Sequence, residues 1–335
     1  MSTSRTRLVS PSVRQTGAPG ALGTLTALLH EGLTTTVPCE YVHRAAVAEV
    51  MPTGWARLDD TRFTIRAQWP RSHTFFGPNP EGRYESTIVA ETIRQSGLLL
   101  CHAELGVPLG HQFLMHDLSF HVEPDQLLVG DVPADLLIDV ECTEVKRRGN
   151  ALTGVVYEVV ILRDGELLAT GGASTTVISP QVYRRIRSEA LRPAGCDAVL
   201  TALADPARVG RTSPMDVVLS PLGDPDRWQL RVDTRHPVLF DHPVDHIPGM
   251  TLVEAARQAA AAALDRPDAT ILGIACAFTR YAELDQTCLI ETCRLPRTCP
   301  EADDQVLVTG RQGDEQVFSA TVTAHVDDDG APLHS

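Results

Sequence analysis

The sequence has almost no lysine. Of its 335 residues 29 are basic and 43 are acidic, the formal net charge is −14, and Lys146 is the single lysine. Nucleic acids and anionic membranes both bind basic surfaces, so this charge balance argues against either as a partner. An anion site in this chain must be built from arginine, whose planar guanidinium group forms paired hydrogen bonds.

Several common signatures are also missing. The eight cysteines include no C-x-x-C pair, which argues against zinc-ribbon and thioredoxin-type sites, and we assign the group of Cys288, Cys293 and Cys299 to packing. No glycine-rich nucleotide loop and no Gly-x-Ser-x-Gly elbow is present. No apolar run reaches the length of a membrane span, and residues 1–36 lack the apolar core of a signal peptide. We therefore expect a cytoplasmic protein with reduced thiols, no cofactor and no metal.

One sequence unit occurs twice. Residues 91–95 (ETIRQ) return 163 positions later as residues 254–258 (EAARQ), and His73 and His236 keep the same offset. A five-residue match with a histidine in register indicates an internal duplication.

Each unit is predicted to consist of an early strand, a loop, one helix and then several antiparallel strands. Residues 88–100 and 251–264 are apolar nearly all round, which is typical of buried helices. The predicted strands are 135–145, 152–162 and 167–178 in the first unit and 270–280, 287–292, 305–309 and 315–326 in the second. Turns are expected at Asp164-Gly165 and over residues 310–314. The fold class is therefore α+β.

The domain boundaries follow from this pattern. We predict an N-terminal extension at 1–37, a first domain at 38–180, a second domain at 227–330 and a proline-rich linker at 181–226 between them.

Several motifs resemble a known family. They are residues 42–44 (VHR), 67–73 (AQWPRSH), 106–113 (GVPLGHQF) and the two Glu-x-x-Arg-Gln segments. Together they are similar to the A-factor biosynthesis family, and residues 240–255 also look like the histidine loop and Pro-Gly-helix-Glu stretch of hotdog dehydratases. The resemblance spans about 38–328 and implies a tandem double hotdog fold, in which two helix-and-sheet units form a pseudo-dimer.

The resemblance also implies a reaction. Members of this family move a β-ketoacyl group from acyl carrier protein, or from a CoA thioester, to dihydroxyacetone phosphate. The ester then closes to the butenolide precursor of a γ-butyrolactone-type signal that controls secondary metabolism. The alternatives are a hotdog thioesterase or dehydratase acting on carrier-bound acyl groups, and a non-catalytic ligand-binding regulator.

The repeated motif supplies the candidate catalytic residues. Glu91, Arg94 and Gln95 share one helix face, so charged and amide groups emerge together from an apolar helix. Either the glutamate and arginine form an internal ion pair, or burial raises the pKa of Glu91 so that it acts as a general base.

The second copy is expected to differ. Thr251-x-x-Glu254 fits a capping box, which would make Glu254 mainly structural. Arg257 would then be freer to orient a phosphate or a thioester carbonyl, with Gln258 beside it. The free amides at each helix start are a natural oxyanion site.

The remaining candidates lie in loops. His73 and His236 line the site or are solvated loop residues, and the dehydratase spacing is not kept because Phe240 stands where those enzymes have histidine. Arg71 and Arg235 complete an anion site or pair with surface acids. His111 lines the first pocket or belongs to a structural turn. We expect Arg71, Arg94, Arg235 and Arg257 to concentrate positive potential at the mouth of the site.

Overall fold

The computed structural model describes residues 34–188, 200–299 and 302–325. Apart from residues 34–37, the predicted N-terminal extension lies outside these ranges, and so do residues 189–199 of the predicted linker, including Cys196.

Within the described ranges, each half contains six strands and one long helix. The first half consists of β1 (Pro52–Arg57), β2 (Arg62–Trp69), α1 (Thr87–Ala103), β3 (Gln112–Val122), β4 (Ala134–Arg148), β5 (Ala151–Arg163) and β6 (Glu166–Ile178). A short helix α2 (Pro180–Ile186) follows. The second half consists of β7 (Leu219–Pro221), β8 (Arg227–Leu230), α3 (Gly249–Leu264), β9 (Thr270–Phe278), β10 (Cys288–Leu295), β11 (Asp304–Gln312) and β12 (Glu315–His325).

All twelve strands belong to one antiparallel sheet. Its order is β1-β2-β4-β5-β6-β3-β9-β12-β11-β10-β8-β7. Counted from either edge of the sheet toward the centre, the strands of the two halves follow in the same order, with β1 corresponding to β7 and β3 to β9. The halves join where β3 pairs with β9, with Leu118 opposite Cys276 and Phe120 opposite Ile274. This arrangement confirms the predicted tandem of two helix-and-sheet units and unites them in one sheet.

The long helices are buried, as their sequences predict. Ile93 of α1 and Ala256 of α3 are fully inaccessible to solvent. A glycine permits the close contact of α1 with the sheet: a Cβ at Gly97 would lie 2.3 Å from the ring of Tyr157, whose hydroxyl donates to the Ile93 carbonyl at 3.0 Å. No helix in the described ranges is long and apolar enough to cross a membrane.

The predicted turns are partly correct. Asp164 and Gly165 both have positive φ, as the tight hairpin between β5 and β6 requires. The turn expected over 310–314 is shorter, because Gly310 lies inside β11 opposite Phe318 and the chain reverses only after Gln312. A Cβ on Gly310 would lie 3.4 Å from Phe318, which is an ordinary contact distance.

Much of the predicted linker folds as part of the second half. The 3-10 turns Pro206–Val209 and Pro214–Asp216 and strand β7 follow one another as Cys39–Val42, Val47–Glu49 and β1 do in the first half. The first turn of each set ends in a left-handed residue, His43 or Gly210. We therefore propose that the second repeat begins near residue 200 and not at 227.

Candidate functional site

The motif glutamate of α1 lies at the centre of a buried cluster. Glu91 is fully buried, and its Oε1 accepts from Arg44, Arg94 and Gln95, with the nearest nitrogens at 2.7, 2.7 and 2.6 Å. Arg44 comes from the segment before β1, so the cluster ties helix to loop.

The same cluster is built on α3. Oε1 of Glu254 is 2.8 Å from Arg257 Nη2 and 2.6 Å from Gln258 Nε2, and its Oε2 is 2.7 Å from Arg211 Nη2. Arg211 follows the left-handed Gly210 as Arg44 follows His43. Each glutamate therefore has two arginine partners, and each cluster keeps an excess of one positive charge.

The expected rise in the pKa of Glu91 is wrong. Burial alone would raise it, but Arg44 and Arg94 outweigh burial and lower the pKa to about 2. Arg211 and Arg257 do the same for Glu254, whose pKa is also about 2. Both carboxylates are ionised and surrounded by donors, so neither is poised to take a proton from a substrate.

The expected helix-capping role of Glu254 is also wrong. Helix α3 begins at Gly249 after Pro248, no side chain caps it, and the Thr251 hydroxyl has no partner in the described ranges. Glu254 therefore lies in the second turn, in the same setting as Glu91, and Arg257 is not released from its glutamate.

The motif glutamines fasten the clusters to the backbone. Gln95 donates to the Glu49 carbonyl at 2.7 Å and accepts from the Met51 amide at 2.9 Å. Gln258 makes the matching two bonds to residues 216 and 218. Neither glutamine is placed to bind a substrate, in contrast to the sequence expectation.

Each of the two loop histidines accepts hydrogen bonds from backbone amides of its own loop. Nδ1 of His73 accepts from the amides of Phe75 and Phe76, both at 3.1 Å, and its Nε2 lies 3.4 Å from Glu49 Oε2. In the second half, Nδ1 of His236 accepts from the amides of Val238 and Leu239, and its Nε2 lies 3.2 Å from Asp216 Oδ1. The side chain of His73 is 5 % exposed, so the alternative of a solvated loop histidine is wrong.

These loops also connect the halves. The carbonyl of Phe75 accepts from Arg211 at 2.7 Å, and the carbonyl of Val238 accepts from Arg44 at 2.8 Å. Each buried arginine thus binds the glutamate of its own half and the histidine loop of the other half.

A cavity of about 540 Å³ adjoins the second cluster. This volume lies within the range of small-molecule sites. Its walls include Arg83, Glu85, Ser86, Gly210, Arg211 and Arg257. Four arginines were predicted to lie at the mouth of the site. Of these, Arg257 lines this cavity, and Arg71, Arg94 and Arg235 do not.

The first cluster differs at the position of Gly210. His43 stands there, with its Nε2 2.9 Å from that of His102 and its ring edge-on to Phe113. Burial, and next the charge of Arg94, lower the pKa of His43 to about 3, which keeps the ring neutral. The matching residue of the second copy, Gly210, has no side chain.

The other loop candidates lie elsewhere. Arg71 donates to the Gly130 carbonyl at 2.9 Å, and the exposed Arg235 pairs with Asp233 at 2.8 Å. Neither lines this cavity, and Arg235 follows the surface-pair alternative. His111 lies just before β3 and does not line the cavity, and its Nδ1 is buried without a partner among the described residues.

The cysteine group divides in two. Cys288 packs in the core, as predicted, whereas Cys293 and Cys299 are exposed. Within the described ranges, no group of three histidine, cysteine, aspartate or glutamate side chains is arranged to hold a metal ion.

Sequence reasoning missed two cluster arginines and one cavity carboxylate. The signal for Arg44 and Arg211 was present, since residues 42–44 and 209–211 share the pattern Val-x-Arg. Their spacing is 167 and not 163, and residues 209–211 lay in the supposed linker. Glu85 had no repeated partner to draw attention to it.

Comparison with known proteins shows the family and the fold to which this chain is similar. The A-factor biosynthesis hotdog domain matches residues 25–179 and 196–328. A 2-oxo-3-(phosphooxy)propyl 3-oxoalkanoate synthase of Streptomyces virginiae is 50% identical over 290 residues, which cover 87% of this chain and 98% of the relative. An enzyme of the same name from Streptomyces coelicolor is 41% identical, with coverage of 86% and 91%. In fold, the chain resembles a Lactobacillus plantarum protein named as an oleoyl thioesterase, with a TM-score of 0.50, 12% identity and coverage of 80% and 97%.

Proposed function

We propose that this chain, which belongs to the A-factor biosynthesis hotdog domain family, transfers a 3-oxoacyl group from a thioester to a hydroxyl group of dihydroxyacetone phosphate. The product is a 2-oxo-3-(phosphooxy)propyl 3-oxoalkanoate, the compound after which its Streptomyces relatives are named. The chain is thus an acyltransferase. Its ester supplies the butenolide precursor of a γ-butyrolactone-type signal.

The observation that carries this proposal is the cavity beside Arg211 and Arg257. Two arginines surround one buried carboxylate there, and Arg83 adds a third guanidinium to the cavity wall. A phosphorylated acceptor brings negative charge, and the thioester oxygen becomes negative when the hydroxyl attacks. Preorganised guanidinium donors stabilise both charges, and more strongly in a water-poor site.

Dehydration by histidine is disfavoured. The Nδ1 atom of His236 is occupied by the amides of Val238 and Leu239, and its Nε2 contacts Asp216. Phe240 stands where the dehydratases keep their catalytic histidine. A hydrolase remains an outcome of the assay below, since water could replace the acceptor hydroxyl.

The acyl carrier is a finer part of the proposal. We propose acyl carrier protein as the donor's carrier, on the resemblance to the family. Carrier-bound and CoA-bound 3-oxoacyl donors of several chain lengths are therefore compared.

The test is direct transfer in vitro. The pure protein is incubated with each donor and dihydroxyacetone phosphate, and the phosphorylated ester is detected by mass spectrometry. We expect the ester to form, and Arg257→Lys, which keeps the charge and loses the planar fork, to lower kcat/KM about 100-fold. Arg235→Lys is the matched control, because Arg235 is exposed outside the cavity, and it keeps full activity.

Two results oppose the proposal. One is the absence of ester from folded protein with every donor. The other is release of free acid at the same rate with and without acceptor, which would make the protein a thioesterase.

A further inference from the structure

Four carboxylates line the cavity, and Glu85 is the one among them that is partly buried and not saturated by donors. Glu85 lies two residues before the first residue of α1, and its backbone is fixed, because its amide donates to the Phe76 carbonyl at 2.9 Å and its carbonyl accepts from the Ile88 amide at 3.0 Å. Its carboxylate accepts no hydrogen bond from the described residues. Its Oε2 lies 3.8 Å from Arg257 Nε, beyond hydrogen-bond length. Unlike Glu91 and Glu254, Glu85 thus keeps its acceptor capacity for a ligand.

Two neighbouring hydroxyls point to a polar ligand at the same place. Ser86 and Tyr84 line the cavity and are 5 % and 1 % exposed, yet neither hydroxyl oxygen has a hydrogen-bond partner within the described ranges. Buried polar groups are seldom left unpaired. A hydroxylated, phosphorylated molecule in the cavity supplies the missing partners.

The residues at the start of α3 differ from those before α1. In the second repeat, the residues equivalent to Glu85 and Ser86 by the 163-residue offset are Pro248 and Gly249. The start of α3 therefore has neither the carboxylate nor the hydroxyl. At the first cluster, His43 replaces Gly210. The duplication therefore retains both arginine clusters, and the arginines of the second cluster line the cavity that Glu85 also lines.

We infer that Glu85 is the general base of the acyl transfer, and that the cavity beside Arg257 is its reaction centre. The inference rests on the proposed function. It names the atoms of that reaction: Glu85 takes the proton of the acceptor hydroxyl as the hydroxyl oxygen bonds to the thioester carbonyl carbon. Arg257 lies next to Glu85 and stabilises the negative charge that develops on the carbonyl oxygen.

The second half of the reaction restores the enzyme. The tetrahedral intermediate collapses, the carbon–sulfur bond breaks, and the proton held by Glu85 passes to the leaving thiolate. A thioester and an alcohol thus become an ester and a thiol, with no oxidant, metal or further co-reactant.

The variant Glu85→Gln tests the inference, since it keeps the shape of the side chain and removes the proton acceptor. We expect kcat to fall at least 100-fold, which is the contribution of a positioned general base, with little change in KM for dihydroxyacetone phosphate. The acidic limb of the pH–kcat profile disappears with the carboxylate. The melting temperature changes little, because the side chain makes no hydrogen bond that the variant loses and its ion pair with Arg257 is long, at 3.8 Å.

Glu166→Gln is the matched control. Glu166 is exposed at the β5–β6 hairpin and does not line the cavity, and the variant keeps the wild-type kcat and pH profile. Full activity of Glu85→Gln, or a loss of rate with an unchanged acidic limb, overturns the role of Glu85 while leaving the proposed function standing. Failure of the wild-type protein to form the ester overturns the proposed function itself, so the two failures are distinguishable.

Discussion

At the scale of single residues, the buried glutamates and arginines depend on one another for their charge. Two guanidinium groups contact each carboxylate, and burial leaves no water to replace a lost partner. The main role of the Glu-x-x-Arg-Gln motif is therefore to hold arginine side chains in position. The carboxylate predicted to be the catalytic base instead holds Arg44 and Arg94 in place, and the proton chemistry falls to a carboxylate outside the motif.

The variant Glu91→Gln should destabilise the protein at pH 7 by about 3 kcal/mol, since it leaves two buried arginines without an anion. The folded-state pKa of Glu91, about 2, is below its ordinary value of 4.5. Its stabilising contribution is therefore complete above pH 4.5 and declines as the pH falls toward 2. Urea unfolding at pH 7, 5 and 3 should show the difference between wild type and variant narrowing at pH 3.

Glu166→Gln is the control for this prediction. Glu166 is exposed at the β5–β6 hairpin, and we expect a change within about 0.5 kcal/mol at each pH. Equal stability of Glu91→Gln and wild type at pH 7 contradicts the account of the cluster.

At the scale of elements, the contact of α1 with the sheet depends on Gly97. The variant Gly97→Ala would place a Cβ 2.3 Å from the Tyr157 ring, so we expect a loss of about 1–3 kcal/mol in the free energy of unfolding. Gly54→Ala in β1 meets no atom within 4 Å and serves as the control. Similar losses in the two variants, measured by urea unfolding, would show that helix propensity and strand entropy outweigh the predicted clash.

The open cavity depends on a second glycine. A Cβ at Gly210 would lie 2.6 Å from the Pro267 carbonyl and 3.2 Å from Arg257 Nη1, so Gly210→Ala should shift Arg257 and lower kcat/KM at least tenfold. Gly223 also has positive φ, but a Cβ there meets nothing within 4 Å. Gly223→Ala therefore incurs the same backbone strain without the contact, and it should keep wild-type transfer activity. Equal activities of the two variants would contradict the role of Gly210.

The elements also show what the sequence could and could not predict. Apolar periodicity predicted both long helices and the main strands, because burial of an apolar face acts over a few neighbouring residues. The short turns and strand β7 in residues 200–226 carry little apolar pattern, so their proline content suggested a linker. The partners of Glu91 and Glu254 come from 47 and 43 residues away, and no local pattern contains such contacts.

At the scale of the whole molecule, the two halves form one structure. Strands β3 and β9 join the half-sheets, and Arg44 and Arg211 each donate to a backbone carbonyl of the opposite half. Each arginine cluster is therefore complete only when both halves are folded. Duplication supplied two equivalent clusters, and divergence at positions 43, 85 and 210 left the open cavity beside the second cluster.

This coupling predicts that the described core unfolds in one cooperative transition. Calorimetry of the full chain should give equal calorimetric and van't Hoff enthalpies. The variant Gly273→Ala tests the junction, since a Cβ there would lie 2.6 Å from the Phe120 carbonyl and push β9 away from β3. We expect it to lower the melting temperature and to broaden or split the transition. Gly310→Ala, whose Cβ would make ordinary contacts of 3.4 Å and more within the second half, should keep a single transition. Two separate transitions in the wild-type protein, or a Gly273→Ala variant as stable and as cooperative as wild type, would mean that the halves fold independently.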